Sequence, residues 1–161
     1  MRHTFLLSRQ VKINMGGISN WFIHSVLDPL PLTLWDGVYS CDRIPGQLWT
    51  KNFAIIVNFS NYEQVGTHFI VLTQLGGKLF LLDSLALPAE LIPSGLKTLM
   101  DEKGGIYVFR GSPIQQHLSK YCGFYCIYFI LYLNISGFEP TQVFNNAVSY
   151  THLTLPTTPY V

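Results

Sequence analysis

The alternation of apolar and polar positions resolves the chain into a short list of elements. Phe53-Ala54-Ile55-Ile56-Val57-Asn58-Phe59 is apolar at almost every position and β-branched in the middle, the pattern of a strand covered on both faces. Residues 67–74 and 78–83 are β-rich runs separated by Leu75-Gly76-Gly77. Paired glycines supply positive backbone dihedrals at little cost, so these pieces predict a hairpin. Residues 121–133 contain no breaker except Gly123 near the start, Gly137 follows, and the run predicts a central buried helix. Asn20 is expected to cap a helix over 21–27, ended by Asp28-Pro29-Leu30-Pro31. Residues 34–42 alternate loosely and break at Pro45-Gly46. Residues 61–66 read as a polar loop, and 88–100 as a helix starting at Pro88 or at Pro93-Ser94. Gly104-Gly105 reads as a turn, 106–109 as a short strand, and 139–146 as a smaller helix. Residues 1–17 carry a short β-like stretch and a flexible Gly16-Gly17 entry. The order predicts an α+β domain with a mostly antiparallel central sheet packed against the buried helix.

Composition narrows the classes. A length of 161 residues supports a single domain, and only 12% charged against 14% aromatic residues describes a core-rich chain rather than a disordered one. A net charge of +1 gives no case for a nucleic-acid binder driven by counterion release. Three cysteines are too few for a disulfide scaffold, and the longest apolar run, 126–133, is too short to cross a bilayer. No signal peptide is evident in the first fourteen residues, MRHTFLLSRQVKIN. The expectation is a compact soluble domain in a reducing compartment.

The chemistry-bearing residues fall at element ends. Cys122, in Tyr121-Cys122-Gly123-Phe124-Tyr125-Cys126, lies at the first turn of the expected helix, where free N–H groups and the positive dipole end favour a thiolate. Gly123 is expected to leave the approach to the sulfur open. Taken alone, a cysteine in this setting is more often a small buried apolar residue, and Cys126, one turn further in, has that character. Cys41 stands beside Asp42 with nothing evident to activate it. His68 opens the first strand of the hairpin and Asp83 closes the second, so antiparallel pairing brings them to one edge. Gln115 and Gln116 precede the cysteine by seven and six residues, and a glutamine amide there could hold an oxyanion. A nucleophile, a base, an orienting acid and an oxyanion donor are the parts that cysteine proteolysis needs. His3, His24, His117 and His152 are weaker candidates. No metal-ligand spacing, dinucleotide-binding glycine pattern, phosphate loop or GxSxG occurs, so neither metal nor cofactor is expected.

The run Gly66-Thr67-His68-Phe69, then Leu82-Asp83-Ser84, Gln115-Gln116 and Tyr121 to Cys126, resembles the adenovirus-type cysteine proteases called adenains. It is especially similar to those of Polinton/Maverick elements and related viruses. Leu34-Trp35-Asp36-Gly37-Val38-Tyr39 with Cys41-Asp42 also looks like that family, and the resemblance covers roughly residues 18–138. The order His, acid, Gln, Cys is opposite to papain's and is shared with the ubiquitin-like-protein proteases. The resemblance implies a papain-type superfold, with Cys122 as nucleophile, His68 as general base and Asp83 orienting the imidazole. Gln115, by adenovirus-like spacing, or Gln116, by ubiquitin-like-protein protease spacing, would serve the oxyanion. Gly66, Thr67, Phe69 and Gly123 would meet the substrate; Phe69 stands where the family usually places tryptophan.

The implied activity is a thiol protease, a cysteine-type endopeptidase cutting after small residues such as glycine. Its implied role is the maturation of viral capsid or core precursors, by a monomer in the virion or the host nucleus or cytoplasm. The DNA and cysteine-linked peptide that stimulate the adenovirus enzyme are not expected here, because the chain is nearly neutral and its spare cysteine, Cys41, lies at a different place. The alternatives are a ubiquitin-like-protein deconjugating protease and an inactive binding protein on the same scaffold.

The string VSYTHLTLPTTPYV at 148–161 resembles a tail seen on conceptual translations that read through a sequencing adapter. On that reading, residues 1–147 are one protease domain truncated near Ala147, and 148–161 are non-native.

Overall fold

A computed structural model describes residues 18–61, 68–103, 107–108, 113–114, 120–135, 137 and 139–154. It is an α+β structure built on one five-stranded sheet whose strands lie side by side in chain order. The strands are β1 (Trp35–Ser40), β2 (Phe53–Asn58), β3 (Phe69–Leu75), β4 (Lys78–Leu82) and β5 (Tyr107–Val108). The helices are α1 (Asn20–Leu27), α2 (Ser94–Glu102), α3 (Cys122–Ile135) and α4 (Pro140–Thr154), with short 3-10 turns at Gly46–Thr50 and Ala89–Leu91.

The sheet corrects one expectation. It is mixed rather than mostly antiparallel: β2–β3 and β3–β4 are antiparallel, while β1–β2 and β4–β5 are parallel. Connection length is the reason. Gly76 and Gly77, at φ +56° and +77°, close a tight antiparallel hairpin between β3 and β4. Residues 41–52 and 83–106, by contrast, are long enough to carry the chain back to the end at which the preceding strand began, and that return produces parallel pairing.

Both faces of the sheet are covered, which explains the uninterrupted apolar run in β2. Ala54, Ile56, Phe69, Val71 and Leu82 share a core with Ile23 and Leu27 of α1, Cys126, Phe129 and Ile130 of α3, and Val143 and Phe144 of α4. Phe53, Ile55, Val57, Ile70, Leu72, Leu79 and Leu81 pack on the other side with Leu96 and Met100 of α2. The period-2 alternation thus sorts apolar side chains into two cores. α3 is apolar on nearly every side; it packs on β2 and β3 and also contacts α1 and α4, which themselves reach β1 and β4.

Smaller differences have local causes. Ser19, not Asn20, caps α1. Its backbone is extended and its Oγ accepts the Phe22 N–H at 3.1 Å, whereas Asn20 is already helical. The helix α2 begins after Pro93, the later of the two expected starts. α4 continues through Ala147 to Thr154, because no glycine or proline occurs between Thr141 and Leu155. Residues 1–17, 62–66 and 104–105, for which an entry segment, a polar loop and a turn are expected, lie outside the described residues.

Candidate functional site

The hairpin register brings His68 and Asp83 together. Val71 pairs with Leu82, and one further step sets Asp83 across from Ile70, two residues from His68. The two side chains meet at His68 Nε2–Asp83 Oδ1, 2.6 Å, with His68 6% and Asp83 3% exposed. A carboxylate oxygen can only accept, so Nε2–H is the donor. The carboxylate is itself held by its own turn. Oδ1 accepts the Leu85 N–H at 2.9 Å, Oδ2 accepts the Leu87 N–H at 3.0 Å, and the Asp83 carbonyl accepts the Ala86 N–H at 3.1 Å. Ala86 takes φ +48° to close this wrap, an uncommon conformation for a residue with a Cβ. Such an anchored carboxylate orients the ring opposite it.

Cys122 is the first residue of α3, and α3 packs on β3. Its thiol hydrogen-bonds the His68 side chain and receives the backbone N–H groups of Phe69 and Gly123. With Nε2 committed to Asp83, Nδ1 is the nitrogen left for the sulfur. Burial by itself raises the Cys122 thiol; the His68 hydrogen bond, the two amides and the imidazolium charge outweigh it and hold the group below its ordinary 9.0. For His68, burial disfavours the charge. The hydrogen bonds to Asp83 and Cys122 and their negative charges more than offset it, and the imidazole is pushed up to about 9. The two shifts favour a thiolate beside an imidazolium.

The other cysteines go the opposite way. Cys126, 1% exposed, is raised well above 9.0 by burial and by the charges of Cys122 and Asp83. Cys41 is also raised, by burial first and then by Asp42, and its thiol donates to the Phe59 carbonyl at 3.2 Å.

Several members of this arrangement carry no sequence signal of their own. Phe59 sets its ring edge against His68 at 5.3 Å between centroids and 85° between planes, and its N–H donates to the His68 carbonyl at 3.0 Å. An aromatic at the exit of an apolar strand was the only hint. The Leu85, Leu87 and Phe69 amides could not be anticipated, since every non-proline residue carries one. Gly123 differs from the open approach expected of it. It is buried, and a Cβ there would meet Ile18 Cγ1 and lie 2.6 Å from Ile18 Cδ1 and 3.6 Å from Phe69 Cδ2. The space freed by the missing side chain is filled by Ile18.

Gln115, Gln116, Gly66 and Thr67 lie outside the described residues. The residue before Gln115 is tied to the site's neighbours: Ile114 N–H donates to the Ser84 carbonyl at 2.9 Å, and Tyr125 Oη donates to the Ile114 carbonyl at 3.1 Å. His24 joins a different cluster, with Nδ1 3.1 Å from Asp28 and its ring 5.9 Å from Trp35. Among the described residues no group of three or more His, Cys, Asp or Glu side chains is arranged to hold a metal ion, and no helix is long and apolar enough to cross a membrane.

Comparison with protein-family models finds no match to this chain, and comparison with curated proteins finds none either.

Proposed function

We propose that the chain is a cysteine endopeptidase in which Cys122 is the nucleophile, His68 the acid and base, and Asp83 the group that orients and charges the imidazole. One observation carries the reading: of three cysteines, the one lowered in pKa is the one hydrogen-bonded to a buried histidine that an anchored carboxylate grips from the other side. Structural cysteines do not need that arrangement, and acyl transfer does.

In the proposed cycle the Cys122 thiolate adds to the scissile carbonyl carbon, and its oxygen becomes an oxyanion. The imidazolium gives its Nδ1 proton to the amide nitrogen, the C–N bond breaks, and the amine leaves a thioester on the sulfur. Water then attacks that thioester while His68 takes its proton; the C–S bond breaks, and acid, thiolate and imidazolium result. The oxyanion donor is assigned to Gln115, with Gln116 as the alternative, on the family resemblance of their spacing to Cys122. The same resemblance assigns cleavage after small residues such as glycine in viral-type structural precursors, by a monomer without a metal or organic cofactor, in the virion or the host nucleus or cytoplasm, and relates the scaffold to the papain-type superfold.

The test is iodoacetamide labelling of the folded full chain at about pH 6, where an ordinary thiol is almost wholly protonated. Wild type, Cys122→Ala and His68→Ala are compared, with the modified cysteine located by mass spectrometry. Fast labelling confined to Cys122 that slows without His68 supports the activated pair. Slow labelling, or equal labelling of Cys41 and Cys126 in folded protein, removes the assignment.

A further inference from the structure

Tyr125 stands on α3 three residues beyond Cys122, about 4.5 Å further along the helix axis and on the same side of it. The cycle proposed above makes no use of it. Its Oη donates to the Ile114 carbonyl at 3.1 Å. The Ile114 N–H donates in turn to the Ser84 carbonyl at 2.9 Å, and Ser84 directly follows the Asp83 that grips His68. Both polar groups of the Ile114 backbone are therefore committed, one to the helix of the nucleophile and the other to the turn of the acid. Ile114 belongs to neither helix nor strand, so no regular ladder calls for these bonds. Its side chain adds a third hold, packing against the core that α3 shares with the sheet.

We propose that Tyr125 is a positioning residue for the reaction, and that the group it positions is Gln115, as the oxyanion donor. The inference rests on the protease reading above. Covalent geometry carries the step from Ile114 to its neighbour. A peptide unit is planar, so holding the Ile114 carbonyl oxygen fixes the plane that also contains the nitrogen and Cα of Gln115. Gln116 lies beyond a further pair of free backbone dihedrals and gains much less from the same bond. Of the two glutamines, the tether therefore selects Gln115. An oxyanion donor contributes most where its place is set in advance, because a displacement of about 1 Å can cost roughly a hundredfold in rate. Tyr125 ties that peptide plane to the helix that also sets the sulfur, so one rigid element places both nucleophile and donor.

The experiment compares two reactions of the full chain at about pH 6. Iodoacetamide labelling needs the Cys122 thiolate but forms no oxyanion: the S–C bond forms as iodide leaves. Acyl transfer from the p-nitrophenyl ester of N-acetylglycine needs both, since addition of the thiolate creates an oxyanion before p-nitrophenolate leaves. Wild type, Tyr125→Phe, Gln115→Ala, Gln116→Ala and the double variant Tyr125→Phe/Gln115→Ala are compared, with urea unfolding to confirm that each is folded. Tyr125→Phe is expected to label within about twofold of wild type and to acylate roughly tenfold more slowly. Gln115→Ala should label as wild type does and acylate roughly a hundredfold more slowly, and the double variant should match it rather than add to it. Gln116→Ala should change either rate by less than about threefold. Acylation unchanged in Tyr125→Phe overturns the inference, as do equal losses of labelling and acylation, additive losses in the double variant, or a loss in Gln116→Ala instead of Gln115→Ala. The comparison of the two glutamine variants decides the matter even where Tyr125→Phe does not fold. In each of these results rapid labelling of wild-type Cys122 leaves the protease reading standing, whereas slow labelling removes that reading and the role of Tyr125 with it.

Discussion

Replacing Asp83 by Asn tests the electrostatic core of the site. The His68 imidazole sits at about 9 against an ordinary 6.5, a preference for the charged ring of roughly 3 kcal/mol that burial opposes and that Asp83 and Cys122 create. Hydrogen bonds to charged groups contribute about 1.5–3 kcal/mol each, and of the two partners Asp83 contributes the larger share, so a substantial part of that preference depends on the carboxylate. Asparagine has nearly the same shape and the wrong chemistry. Oδ1 now accepts from His68 and Leu85 and Oδ2 from Leu87, all three donors, so an amide NH2 must point at a donor whichever way it turns. Asp83→Asn is therefore expected to lower the population of the imidazolium–thiolate pair at about pH 6, and with it the labelling rate of Cys122, by roughly ten- to a hundredfold. The assay is the pH–rate profile of iodoacetamide labelling, with urea unfolding to confirm that the variant is folded. A folded variant that labels at the wild-type rate across the acid limb would refute the reasoning, since Asp83 would then contribute nothing to the charge on His68.

Three further outcomes follow from the same geometry. In Cys122→Ser the Asp83 hydrogen bond and charge still raise the His68 pKa, though less than when the thiolate is present, and that contribution to stability is fully present below about pH 6.5 and lost as pH rises through the raised folded-state value; urea-unfolding free energies should fall above about pH 6.5, and adding His68→Gln should flatten the slope. Phe59→Ala removes the ring set edge-on to His68 and should slow labelling of Cys122 at about pH 6 by roughly two- to tenfold, with Phe59→Tyr restoring most of the rate. Gly123→Ala places a methyl group 2.6 Å from Ile18 Cδ1 and should cost about 1–3 kcal/mol in denaturant unfolding; Ile18→Ala, which opens that space, should recover much of the loss in a double-mutant cycle.

Elements whose logic is local were legible in the chain. The Gly76-Gly77 hairpin, the apolar β2 run and the buried α3 helix each follow from short-range pattern, and the structure places them within a few residues of expectation. The proximity of His68 and Asp83 belongs with them, because a tight hairpin converts sequence separation directly into strand register. Cys122 at the start of α3 was legible for the same reason: the apolar run that forms the helix also sets where its first turn falls. Ser19 rather than Asn20 caps α1, since both residues are good caps and backbone dihedrals, not residue type, decide between them.

Only the tertiary structure decided the rest. Strand direction at the sheet's two edges depends on how residues 41–52 and 83–106 travel, which apolar alternation does not encode, because a strand shows the same pattern in either direction. The distinction between three chemically identical thiols arises from what each touches: a histidine and two amides for Cys122, an apolar interior for Cys126, a carbonyl for Cys41. The amides that grip Asp83, the ring of Phe59 and the closing of Gly123 by Ile18 involve either groups that every residue carries or residues far apart in the chain. Sequence by itself determined which chemistry was available and at which element ends it stood. Packing decided which of those groups share one small volume, and proximity in a buried setting is what lowers the one thiol and raises the imidazole beside it.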